Sequence, residues 1–168
     1  MSIWLSSSPA GIEPRTITVS EADMQLMRLE VEKHEPEEAC GLLIGRLNGL
    51  HAVTVHAIPI TNILHSPTRF RMDGRKQVDA FARMENEGLE LVGIYHSHPH
   101  GPPGLSELDV KEAYYPEVVH LIWWRKHGAW SYDGYSIHDG QILNAVLKLT
   151  SSSESQIIHI NSRVKSRS

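Results

Sequence analysis

Apolar positions along the chain follow two periods, and the switches between them mark the elements. Thr16 to Val19 forms a short strand candidate. Ser20 followed by Asp23 resembles a helix N-cap, and Met24, Met27 and Val31 then recur at helical spacing with Leu26 and Leu29 beside them. This predicts an amphipathic helix of about fifteen residues, ending near Glu35 because Pro36 drives the residue before it out of helical geometry. Ala39 to Arg46 and Val53 to Ile58 are apolar runs flanking Asn48-Gly49, a dipeptide suited to a tight hairpin, and they predict two antiparallel strands. Pro59 to Asp73, with Asn62, Pro67 and two arginines, shows no period and reads as a loop.

Lys76 to Glu87 reads as a second helix through Val78, Phe81 and Ala82, with Met84 beside them and Gly88 as its stop. Leu89 to His96 is an apolar strand that runs into His98-Pro99 and a loop rich in glycine and proline. Ser106 opens a short third helix. Val118 to Trp124, Ala129 to Ile137 and Gln141 to Leu149 are further strands, with turns at Lys126-His127-Gly128 and Asp139-Gly140. Together these predict a mixed sheet with about three helices, an α+β domain of α/β/α type. The folded body is expected over residues 16–150, between a flexible leader at 1–15 and a disordered polar tail at 151–168.

Composition narrows the functional classes. A chain of 168 residues buries enough surface to fold without a structural metal or disulfide, so any metal it holds is expected to be functional. Its single cysteine, Cys40, excludes an intramolecular disulfide, a cysteine-based structural zinc site and a redox pair, and points to a cytoplasmic setting. No basic start followed by a long apolar run is present, and no eighteen consecutive residues are apolar, so neither secretion nor membrane spanning is expected. Three basic residues against Glu154 give the segment from Ser151 onward a charge of +2, which leaves −6 of the chain's −4 total for the body. An acidic body argues against nucleic acid as a partner. Eleven histidines are the unusual feature, and their clustering matters more than their number.

The chemistry concentrates between Tyr95 and Asp109. His96 and His98 stand two apart at the end of a strand, so both point to one face and can share an ion. Asp109, in the first turn of the third helix, supplies a third, anionic ligand. Two imidazoles and one carboxylate leave a tetrahedral position open, as in catalytic rather than structural zinc sites. Ser106 and Asp109 also have a plain account as the N-cap and N3 residues of a capping box. His100 reads as a loop residue, and His34, His51, His56, His65, His120, His127, His138 and His159 read as surface or core residues without metal-like spacing.

The run His96-Ser97-His98-Pro99, six further residues, then Ser106-Glu107-Leu108-Asp109 resembles the metal motif of the JAMM, or MPN+, metalloproteases, with no departure in spacing. The upstream segment Glu38-Ala39-Cys40-Gly41-Leu42-Leu43-Ile44-Gly45 is similar to that family's Glu-x-x-Gly-hydrophobic-hydrophobic-x-Gly pattern. The resemblance covers residues 16–149 and is closest to bacterial or archaeal members. It implies a mostly antiparallel curved sheet of cytidine-deaminase-like architecture. It also implies one zinc ion per chain held by His96, His98 and Asp109, with Glu38 holding and deprotonating the water that the zinc activates, and Ser106 hydrogen-bonding the developing oxyanion. Adjacent strand residues face opposite ways, so only one of Glu37 and Glu38 can reach the ion, and the resemblance selects Glu38, which has the family's offset from Gly41. Cys40 lies in an apolar strand with no activating base beside it and reads as a small core residue.

The same resemblance implies cleavage of a peptide or isopeptide bond after the C-terminal Gly-Gly of a ubiquitin-like or sulfur-carrier protein. Such an extended tail suits a narrow site and an exposed strand edge that holds it by β-augmentation. Residues Ile63 to Met72, with Arg69 and Arg71, are a candidate wall of the tail groove. The short, cysteine-free connection from Ala113 to Val118 puts in doubt the second zinc of some eukaryotic relatives. The competing readings are a non-catalytic adapter on the same fold, which has no need of all four of Glu38, His96, His98 and Asp109, and a DNA-repair-associated hydrolase, which the acidic body does not support. A zinc nucleobase deaminase wants a Cys-x-x-Cys pair, which one cysteine rules out.

Overall fold

The computed structural model describes residues 13–115 and 117–151. Except for residues 13–15 and 151, the expected leader and tail lie outside the described residues. The elements run β1 (Thr16–Ser20), α1 (Glu21–Lys33), β2 (Cys40–Asn48), β3 (His51–Ile60), α2 (Gly74–Asn86), β4 (Glu90–His98), α3 (Glu107–Lys111), β5 (Val119–Lys126), β6 (Ala129–His138), β7 (Gln141–Asn144) and β8 (Val146–Thr150). Among the described residues, no helix is long and apolar enough to cross a membrane.

The strands form one sheet in the order β7-β6-β5-β4-β2-β3-β1-β8. β1 pairs in parallel with β3 and β8, and β4 with β5, while the other four pairings are antiparallel. This is the α+β, mostly antiparallel architecture expected. The span Gln141 to Leu149, expected as one strand, is in fact two. It breaks at Ala145, whose N–H turns to Gly134 O, while Val146 N donates to Arg15 O. β7 and β8 occupy opposite ends of the strand order although a single residue separates them, so the sheet is rolled until its two edges meet.

The concave side of this roll holds the largest core. Met24, Met27 and Val31 of α1 pack there against Ile17, Leu43, Val92, Tyr95, Leu121 and Trp123, and Ser20 caps the helix by accepting from Asp23 N at 3.0 Å. Two covers share the outer face. α2 and residues 61–73 sit over β2–β4, where Cys40, Leu42, Ile60, Met72 and Ala80 form a second core. α3 sits over β5–β6, where Leu105, Ile122, Tyr135 and Ile137 form a third. α2 is turned about its axis from the expected phase: Ala80 is buried and Phe81 half-buried, while Val78 is 65% exposed and Ala82 faces solvent. Asp73, which caps the helix by accepting from Lys76 N, and the docking on β2 set that phase, neither of which periodicity alone can supply.

Candidate active site

Between the two outer covers the sheet is left bare, and a groove of about 430 Å³ opens there. Leu42, Ile94, His96 and His120 line its floor, Leu64 to Met72 one wall, and Leu108 to Tyr115 the other. Arg69 Nη2 meets Glu112 Oε1 at 2.8 Å and ties the walls together, a solvent-exposed pair of little energetic weight. The strands beneath the groove, β2, β4 and β5, are each paired on both sides. None offers the free edge expected to hold a peptide, so main-chain contacts to a ligand would have to come from the wall segments.

The structure brings the expected site residues together at one end of this groove. β4 turns His96 and His98 to the same face, and their Nε2 atoms lie 3.0 Å apart, both side chains buried. α3 places Asp109 across from them, Oδ1 3.1 Å from His96 Nε2 and Oδ2 3.2 Å from His98 Nε2. The capping box fixes that carboxylate: Ser106 N donates to Asp109 Oδ2 at 2.7 Å and Asp109 N to Ser106 Oγ at 3.1 Å. The bland and the functional readings of Ser106 and Asp109 thus describe one geometry, because the cap aims the carboxylate while leaving the Ser106 hydroxyl proton uncommitted. Glu38, two residues before β2, puts Oε1 3.9 Å from His98 Nε2. Glu37 points out to His65 Nδ1 at 3.1 Å, so the two neighbouring glutamates diverge as expected.

The donor set suits a small dication. Donors about 2.0–2.1 Å from a tetrahedral ion stand about 3.3 Å from one another, close to the separations found here. His98 Nδ1 donates to Pro102 O at 2.8 Å, which leaves its Nε2 lone pair for the shared position. Burial raises the Asp109 carboxyl, but hydrogen bonds from both imidazoles outweigh it and hold the group well below the usual carboxylate range. Burial lowers His98, and the bonds to Asp109 and Pro102 more than offset this and raise it, whereas burial prevails at His96 and lowers it. His96, His98 and Asp109 could hold a metal ion.

Burial raises Glu38 to about 7. Cys40 shares the site's face, but its thiol donates to Ile60 O at 3.3 Å and burial pushes it up to about 12, which makes it an inert core residue as expected. Two residues escaped the sequence reading. Asn62, buried inside the apparent loop, donates through Nδ2 to Glu38 O and Arg69 O and accepts from Leu64 N and Arg71 N, so one side chain anchors both Glu38 and a groove wall. His120, read as a surface or core residue, lies buried in the groove floor. The available signals were an Asn next to the apolar pair Ile63-Leu64 and a polar side chain within an apolar strand.

Residues 20–133 match the family of prokaryotic homologues of the JAB domain. The chain is 33% identical over 117 residues to a desampylase from Pyrococcus furiosus, covering 70% of this chain and 80% of that protein. It is 35% identical over 107 residues to a CysO-cysteine peptidase from Mycobacterium tuberculosis, covering 63% and 72%. The solution structure of a protein from Desulfitobacterium hafniense superposes with a TM-score of 0.74 at 29% identity, covering 82% of this chain and 94% of that one. The chain belongs to the prokaryotic JAB family, in which the JAMM resemblance places it, and like these peptidases it is an isopeptidase-like enzyme.

Proposed function

We propose that this enzyme is a zinc-dependent peptidase that hydrolyses the bond after the C-terminal Gly-Gly of a ubiquitin-like or sulfur-carrier protein. The observation that carries the reading is the convergence of His96, His98 and Asp109 within hydrogen-bond distance of one another, at the end of a groove and beside the buried Glu38. Relatives named as a desampylase and a CysO-cysteine peptidase support the substrate class that the family resemblance implies. The two histidines and the aspartate hold the ion, one per chain, which when bound polarises a carbonyl and acidifies a water. Glu38 takes the proton of the attacking water and later delivers it to the leaving nitrogen, a task suited to a carboxylate that burial raises to about 7. The Ser106 hydroxyl donates to the carbonyl oxygen as charge gathers on it. The wall at 64–72 and the facing wall at 108–115 confine an extended tail. A cytoplasmic setting, in which such carriers work, completes the reading.

The test is cleavage of a linear fusion to a Gly-Gly-ended ubiquitin-like protein from the same genome. Zinc-loaded wild type is compared with Glu38→Gln and with a chelated sample. Cleavage after the second glycine, lost in both controls while Glu38→Gln retains zinc, is the expected result. Normal turnover by Glu38→Gln removes Glu38 as the base, and full zinc retention by a folded Asp109→Ala removes Asp109 as a ligand.

A further inference from the structure

Among the described residues that line the groove, two buried side-chain polar atoms have no hydrogen-bond partner: His96 Nδ1 and His120 Nε2. Both rings are more than nine-tenths buried. β4 and β5 run parallel with Ile94 opposite His120 and His96 opposite Ile122, so the two imidazoles stand diagonally on the face that floors the groove. Diagonal neighbours on adjacent strands are about 7–8 Å apart at the backbone, a span that two leaning rings can close.

His96 has no other evident partner for its outer nitrogen. Phe70 covers the ring at 4.6 Å between centroids, Cys40 opposite it turns its thiol to Ile60 O, and Asp109 and His98 occupy its Nε2 side. A buried N–H without an acceptor costs about 1–3 kcal/mol, and a metal-ligating histidine nearly always spends that N–H on an orienting acceptor. At His98 the Pro102 carbonyl fills that role. His120 is suited to it at His96: its Nε2 is the ring nitrogen buried without a partner, and with the ring proton on Nδ1 it offers a lone pair.

We propose that His120 is a positioning residue for His96. Its Nε2 accepts the His96 Nδ1–H, through one water or after a small ring rotation, and so keeps the His96 Nε2 lone pair turned to the metal position. This rests on the metal reading above and adds to it a histidine outside the family motif.

The test compares His120→Met and His120→Gln, nearly isosteric side chains of which only Gln carries a strong acceptor. Zinc affinity is measured by competition with a chromophoric chelator, the visible spectrum is recorded on the cobalt-loaded protein, and thermal unfolding of the metal-free proteins reports the fold. His120→Met is expected to unfold no earlier than wild type, to bind zinc about 10–100-fold more weakly and to shift the cobalt bands, while His120→Gln recovers most of the affinity and the wild-type spectrum. Should His120→Met not fold, His120→Leu takes its place. A folded variant without the acceptor that keeps wild-type affinity and spectrum overturns the inference, as does a His120→Gln as weak as His120→Met. A wild type that binds neither ion overturns the metal reading itself, and this inference with it.

Discussion

Glu37 and Glu38 show how one backbone step decides a residue's chemistry. The same carboxylate is half-buried beside His65 at one position and 4% exposed at the next. Burial raises Glu38 from 4.5 to about 7, so its neutral form is the one the fold favours. Folding stability from this group is then complete below pH 4.5 and is lost as pH rises towards 7, a change of about 3 kcal/mol from the 1.36 kcal/mol that each pH unit represents. In urea unfolding of the metal-free proteins, Glu38→Gln should match wild type near pH 4.5 and exceed it by about that amount at pH 8. A gap independent of pH would mean that Glu38 is solvated. The period-two placement of His96 and His98, the capping box that aims Asp109 and the divergence of the glutamates were all legible as spacing along the chain, because each depends on local geometry.

At the scale of elements, the two glycines of the motif at 38–45 have steric explanations. A Cβ on Gly45 would stand 1.9 Å from Val53 O, where β2 and β3 shift register, and one on Gly41 would stand 2.5 Å from Ile58 O and 2.3 Å from the Tyr95 ring. The obstacle at Gly45 is backbone, which cannot swing aside. Gly45→Ala should therefore cost about 3 kcal/mol in urea unfolding, at the upper end of overpacking effects. The 61–73 segment teaches the opposite lesson. It has no period, yet Asn62 braces it with four hydrogen bonds as firmly as a regular element. Asn62→Ala should cost about 3 kcal/mol by leaving buried amides and carbonyls unpaired. It should also lower turnover in the folded enzyme by loosening Glu38, with zinc affinity unchanged because Asn62 touches none of the three donors. Equal loss of zinc affinity and turnover would show instead that the whole site has shifted.

At the scale of the molecule, closure of the sheet depends on Ala145, where the chain leaves β7 at one edge and enters β8 at the other. A chain ending at Asn144 lacks β8, frees the β1 edge and removes Leu147 from the main core. It should lose the cooperative unfolding transition that the full-length chain shows in circular dichroism melts. Similar melts for both would show that the edge contact is dispensable. The hairpins, both long helices and the strand that carries the histidines are written in the order of residues, because turn chemistry, period and capping act over a few positions. The roll of the sheet, the phase of α2, the bracing by Asn62 and the place of His120 in the groove follow from which faces meet across tens of residues. That is a matter of packing, and no local pattern encodes it.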